Sequence, residues 1–187
     1  FSQDSWRVAA NATTGAFSHQ LAYSDTQIDR ESFSEGVSSF ATEGSLERLS
    51  YVGSWQGGNS LRLIYGVDHE TESIDDGSTD RDRDQLGFFA EYQGRIMELL
   101  SLSAGVRHDD NDDFGQFTSY RLSGAYVTTV AGGDFKLKAS YGTGFRAPSL
   151  FEIDYNRQLD NPDLAPLTPE ESEGVDAGVE FFANSGL

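Results

Sequence analysis

The run Leu100-Ser101-Leu102-Ser103-Ala104-Gly105-Val106-Arg107-His108-Asp109 alternates without a slip. Leu100, Leu102, Ala104, Val106 and His108 fall on one side of an extended chain, and Ser101, Ser103, Gly105, Arg107 and Asp109 on the other, because successive strand side chains point to opposite faces. A helix would scatter both sets around its circumference. The run therefore reads as a β-strand with one apolar and one polar face.

The same rhythm continues on both sides of it. Upstream, Phe88, Ala90 and Tyr92 alternate before a turn at 94–98, and Leu49, Tyr51, Gly53 and Trp55 turn at Gly57-Gly58-Asn59 to return as Leu61, Leu63, Tyr65 and Val67. Segments 4–13 and 16–28 form a first pair about Thr14-Gly15, with Phe17, His19, Leu21 and Tyr23 on one face. Downstream, Tyr120, Leu122, Gly124 and Tyr126 turn at Ala131-Gly132-Gly133 and return as Phe135, Leu137, Ala139 and Tyr141. A ninth strand at 174–182 carries Val175, Ala177, Val179 and Phe181 and leads to a turn-like Asn184-Ser185-Gly186. The expected fold is all-β, an antiparallel up-and-down meander.

Composition narrows the class. Only 37% of the 187 residues are hydrophobic, and no apolar run approaches the roughly 20 residues that a membrane-spanning helix needs. Strands of about 10 residues with alternate apolar positions escape that requirement. Twenty glycines and 12% aromatic residues suit strands and tight turns. With 31 acidic against 13 basic residues the formal charge is −18, which argues against a nucleic-acid partner held by its phosphates. There is no cysteine, hence neither disulfide nor thiolate metal site. Phe1 leads almost straight into a strand pattern with no signal segment, as expected of a piece internal to something longer.

Connection lengths also alternate. Short turns at 14–15, 57–59, 94–98 and 131–133 interleave with expected long connections at 29–44, 73–83, 109–116 and 144–172, the pattern of a transmembrane β-barrel with short turns on one side and long loops on the other. Trp6, Tyr23, Tyr51, Trp55, Tyr65, Tyr92, Tyr120, Phe135 and Tyr141 lie near strand ends, where interfacial girdles form. The residues alone leave two other classes open: a soluble β-sandwich that binds carbohydrate, and a passive outer-membrane pore.

Two linked motifs decide among them. Residues 141–148 read YGTGFRAP and continue SLFEIDY, and residues 161–181 read NPDLAPLTPEESEGVDAGVEF. This resembles the late barrel of TonB-dependent outer-membrane receptors, most of all their vitamin B12 receptor-like branch; the match covers about 136–182. Leu164-Ala165-Pro166-Leu167-Thr168-Pro169 departs from the family pattern by separating the proline from the following Glu-Glu-Ser. The resemblance implies that residues 1–187 are part, about nine strands, of an outer-membrane barrel of about 22 strands. The plug domain that fills such a lumen, with its TonB box, is absent from this sequence. It also implies an active-transport receptor, not an enzyme, that imports cobalamin or a ferric siderophore. Its partners would be outer-membrane lipid, the small-molecule nutrient, and TonB through the missing plug.

Candidate site residues follow from the loops. Arg146, Tyr155, Asn156 and Arg157 are expected to face the ligand; 149–155 is expected to form a short helix, and Pro148 to stop strand pairing. Asp109, Asp110, Asp112 and Asp113 crowd one hairpin tip and Asp75, Asp76, Asp80, Asp82 and Asp84 another. Carboxylates so spaced could hold calcium, although a solvated loop tip explains them as well and no other cofactor is expected. His19, His69 and His108 are too scattered for a metal triad. No nucleophile elbow, phosphate loop or paired catalytic carboxylates occur.

Overall fold

The computed structural model describes residues 1–78, 80–158 and 165–184, the side chains of 157 and 158 excepted. Nine strands follow one another: β1 (Ser2–Thr14), β2 (Phe17–Ser34), β3 (Val37–Gln56), β4 (Leu61–Asp75), β5 (Asp80–Ile96), β6 (Leu100–Asn111), β7 (Gly115–Val130), β8 (Gly133–Arg146) and β9 (Glu170–Ala183). One helix, α1 (Leu150–Gln158), lies between the last two strands. Each strand pairs antiparallel with the next, and the sheet runs β1 to β9 in chain order without closing on itself. The meander expected from the alternation is the fold observed.

Register turns the alternation into two continuous faces. Tyr23 sits opposite Leu49, Leu49 opposite His69 and His69 opposite Leu86, while Val106 faces Tyr120 and Leu137 faces Val179. All lie on one side of the sheet, the outer face. It is apolar near the turns at Gly15, Gly58, Met97 and Gly132, and polar farther up, where Gln27, Ser45, Ser73, Asp82 and Asp110 take the same parity. The inner face carries Arg7, Gln20, Ser54, Arg62, Gln93, Ser103 and Lys138.

Almost nothing apolar is buried between layers. Among the described residues the buried hydrophobic side chains are Ala22 and Leu150, whereas Leu49, Phe88, Val106, Leu122 and Val175 stand open on the outer face. A sandwich would bury such residues against a second sheet, and among the described residues there is none. An apolar outward belt over a single layer fits lipid as its solvent.

Three of the four connections expected to be long are tight. β2 and β3 extend to Ser34 and Val37 and meet across Glu35 and Gly36, both at positive φ (53° and 80°). That pair of left-handed residues is what a two-residue hairpin turn requires. Likewise β4 and β5 are joined by residues 76–79, and β6 and β7 by 112–114. Ladder bonds hold these extensions, with side-chain pairs such as Arg83–Glu72 and Arg81–Asp113 added on the inner face. Because polar residues occupy both their faces, no apolar alternation marks them in the sequence. At 18 and 20 residues, β2 and β3 far exceed the roughly 10 needed to cross a bilayer, so in a membrane their upper halves would project beyond it. Only the connection after β8 is long.

The two faces should respond oppositely to the same substitution. In the intact protein in lipid vesicles, Leu122→Arg on the mid-belt outer face should lower unfolding stability by about 2–4 kcal/mol. Its inner-face neighbour, Ser123→Arg, should cost less than about 1 kcal/mol. Denaturant titration of both checks the assignment; equal costs would overturn it.

Candidate functional site

Two structures are built on the upper inner face, and the register explains the first. Asp68 on β4, Gly87 on β5 and Asp109 on β6 are neighbours in one row across the sheet. Because Gly87 has no side chain, the Arg107 guanidinium lies over it; a Cβ there would overlap the guanidinium. Arg107 thereby reaches both carboxylates: Nη1 to Asp68 Oδ2 at 2.8 Å, Nη2 to Asp68 Oδ1 at 3.0 Å, and Nε to Asp109 Oδ1 at 2.9 Å. Arg48 adds a bond to Asp68 Oδ1 at 3.0 Å, and Gln85 donates to Asp109 at 3.3 Å while accepting from Asn111 at 3.0 Å. Asp68 and Asp109 are 4% and 2% exposed. Buried carboxylates survive only with such partners.

The second structure is α1 and its tethers. Ser149 and Glu152 cap its start reciprocally: Glu152 N donates to Ser149 Oγ at 3.2 Å, and Ser149 N to Glu152 Oε2 at 2.8 Å, the capping-box arrangement. Leu150 is wholly buried. Arg83 donates to the Pro148 carbonyl at 2.7 Å and pairs with Glu72, while Arg81 pairs with Asp113 at 2.6 Å and with the buried Asp154 at 3.7 Å. Arg81 and Arg83 belong to the inner face of β5, so α1 is held over the inside of the sheet.

These contacts locate the expected site residues. Arg146 bonds Glu152 at 3.0 and 3.1 Å and Glu170 at 3.4 Å, so it fastens the base of the long connection. Tyr155 is exposed and stacks on Phe151, with ring centroids 6.1 Å apart. Phe151 in turn meets Phe40 of β3 edge-on at 6.1 Å. Asn156 lines a cleft of about 270 Å³ with Arg81, Asp113, Phe114, Ile153, Pro166 and Leu167. The side chain of Arg157 and residues 161–164 of the second motif lie outside the described residues. The helix expected at 149–155 begins at Leu150 and runs to Gln158.

The aspartates are not gathered at one point. Asp109 is held by Arg107 and Asp113 by Arg81, and Asp110, on the outer face, accepts from Gln116 at 3.2 Å. Asp112 sits in the turn, where its amide bonds the Asp84 carbonyl at 3.1 Å. Asp75 and Asp76 accept backbone bonds from Gly77 and Ser78 within their own turn. Among the described residues no three His, Asp or Glu side chains are grouped to hold a metal ion. His19 and His108 sit on the outer face, bonded to Tyr51 and Thr118 at 2.8 Å. Sequence reasoning missed the Arg107 cluster; its signal was an arginine two residues from an aspartate on a face otherwise made of Ser and Gly.

Comparison with known proteins gives a consistent family. A family model described as TonB dependent receptor-like, beta-barrel matches residues 1–187. The vitamin B12 transporter BtuB of Vibrio cholerae serotype O1 is 31% identical over 122 residues, covering 62% of this chain and 19% of that protein. BtuB of Photobacterium profundum is 25% identical over 162 residues, covering 86% and 26%. The chain thus spans about a fifth to a quarter of these curated relatives. The siderophore receptor PirA from Pseudomonas aeruginosa has the same fold, with a TM-score of 0.80 at 18% identity over 97% of this chain and 36% of that one. The copper transporter OprC gives 0.65 at 15% identity, again over 97% and 36%.

Two measurements test these assemblies. Arg107→Met leaves Asp68 and Asp109 buried without their main partner and should cost about 3–5 kcal/mol in denaturant unfolding of the intact protein. Adding Asp68→Asn and Asp109→Asn should restore most of that loss. At α1, the Ser149 amide and hydroxyl and Arg146 hold the Glu152 carboxyl below its ordinary value of 4.5. A lowered carboxyl stabilises the folded form above that ordinary value and loses the effect as pH falls through the folded one. Amide-exchange protection of α1 should therefore drop as pH falls below about 4.5, and Glu152→Gln should flatten that dependence.

Proposed function

The chain belongs to the TonB-dependent receptor β-barrel family, and from that premise we propose that it forms part of the wall and mouth of an outer-membrane receptor that imports a scarce nutrient, cobalamin or a ferric siderophore, using energy delivered through TonB. The observation that carries the reading is the division of the sheet's outer face into an apolar belt beside the short turns and a polar, projecting upper half. A lipid-embedded wall with a raised external mouth has that form.

In this reading residues 1–187 are one portion of the barrel. Further strands complete the wall, since in lipid each unpaired backbone group at β1 and β9 would cost several kcal/mol. A plug domain fills the lumen and carries the contact with TonB. The inner face supplies its polar lining, and α1, with Tyr155 and Asn156, stands where an entering ligand passes. Arg146 serves the geometry of that region by holding Glu152 and Glu170. The named vitamin B12 and siderophore relatives support this class of cargo.

The gene product that contains this chain should sediment with outer membranes and migrate differently in detergent gels before and after boiling. Uptake of its nutrient should fall to background when TonB is deleted. A heat-insensitive product, or uptake indifferent to TonB, would overturn the proposal.

A further inference from the structure

Between β7 and β8 the pairing is regular but ends early. Their last shared pair is Arg121 with Gly142, yet both strands run on: β7 reaches Gly115 paired with β6 alone, and β8 reaches Arg146 paired with β9 alone. At every other junction among the described residues, at least one of the two strands stops at the last shared pair. Residues 115–120 and 143–146 therefore confront each other as two strand edges with no ladder pair between them. The split lies above the apolar belt, where Gln116 and Thr118 take the outer face and lipid makes no demand on the backbone.

What fills the split shows that the two edges no longer share one plane. Phe117 belongs to the inner row of β7, opposite Asp109, whereas Phe145 belongs to the outer row of β8, opposite Glu171. In a continuous sheet such residues point to opposite faces. Here their rings stack, with centroids 4.4 Å apart and planes 15° from parallel. Just below them the Tyr120 amide donates to the Thr143 hydroxyl at 2.9 Å.

The ribbon beyond the split carries α1. Residues 147–149 join β8 to the helix, and Arg146 bonds both Glu152 and Glu170, so the top of β8, the start of β9 and α1 form one unit. From there α1 crosses the inner face to the other side of the split, where Arg83 holds the Pro148 carbonyl, Arg81 pairs with Asp154, and Phe151 meets Phe40. Each of these ties involves a side chain. Separating any other two neighbours would break a ladder of about one backbone hydrogen bond per residue pair, whereas separating these upper edges costs a ring stack, a hydroxyl bond and the contacts of α1. At the foot of the split Gly142 and Gly174 stand opposite each other. Neither is a crowded position: a Cβ at Gly142 would come no nearer than 3.6 Å to the Tyr120 carbonyl, and one at Gly174 would meet nothing within 4 Å. Two bare residues in one row weaken both strands where a bend would form.

We propose that the upper ribbon of β8 and β9, with α1 attached, is a door hinged at Gly142 and Gly174 and latched by Phe117 and Phe145. It swings from β7 as one body without breaking a ladder, and its opening withdraws α1 from the inner face. The inference goes beyond the receptor reading by naming the part of the mouth that moves, and it rests on that reading only for what the door admits.

The test uses the full-length receptor in detergent, with any cysteine outside residues 1–187 replaced, since this chain has none of its own. Spin labels at Gln116→Cys and Glu171→Cys straddle the split, and a control pair at Asp84→Cys and Gln116→Cys spans two strands on one side of it. Pulsed dipolar distance measurement should give a narrow distance for the control and an added longer one for the straddling pair. Removing the latch with Phe117→Ala/Phe145→Ala should raise the longer population about fivefold. A straddling distance as narrow as the control and unmoved by loss of the latch would overturn the proposal. Joining the straddling thiols with a short reducible linker should lower TonB-dependent uptake about tenfold, with recovery on reduction, as expected where opening gates passage. Full uptake by the linked receptor would overturn the door. Uptake indifferent to TonB, with the distance shift present, would remove the receptor reading and leave the door standing.

Discussion

A strand whose side faces hydrocarbon must find every backbone partner on its neighbours, since lipid offers no donor or acceptor. That demand explains why eight antiparallel pairings run without interruption from β1 to β8 and on to β9, and why their one irregularity within β2–β3 falls at Ser32 and Phe33, in the upper extension rather than in the belt. It also frees side chains from making a core. With the ladder fixed, outward residues need only be compatible with lipid, and inward residues are available for polar work.

The Arg107 cluster uses that freedom. Joining β4, β5 and β6 on the inner face, it lets Asp68 and Asp109 be buried in a wall one layer thick. Gly87 is the residue that permits it, by leaving the middle strand bare so that the guanidinium can lie flat against the sheet. On the outer face Gly53 does a related service, giving the Tyr65 ring room to lean across the neighbouring strand. In each case a missing side chain on one strand makes space for a long one on the next.

The sequence showed these features unequally, for physical reasons. Strands and their faces were legible wherever one side is apolar and the other polar: the alternation around Leu102, Tyr120 and Leu137 predicts the observed parity residue by residue. The hairpins above the belt were not, because Glu31, Ser38, Glu72 and Asp82 place polar residues on both faces and erase the period of two. Alternating loop length was therefore a poor guide at three of the four connections expected to be long, where most of the residues are strand. The short helix expected at 149–155 is α1, and Ser149 and Glu152 close its start as a capping box. The partnership of Asp68 with Arg107 was hidden, since 39 positions separate them and only the three-strand register brings them together.

Building the upper part of the sheet from extended ladders rather than free loops has a mechanical consequence. β2 and β3, β4 and β5, and β6 and β7 rise as paired ribbons closed by short turns, so their upper ends are fixed by the same hydrogen bonds that form the wall below. The connection between β8 and β9 is the exception, and it is fastened by Arg83 to Pro148, Arg81 to Asp154 and Arg146 to Glu152. Residues that position α1 thus belong to the wall itself. A vestibule organised in this way spends little conformational entropy when something enters it, so discrimination there depends on shape and charge already in place rather than on loops that order around their guest.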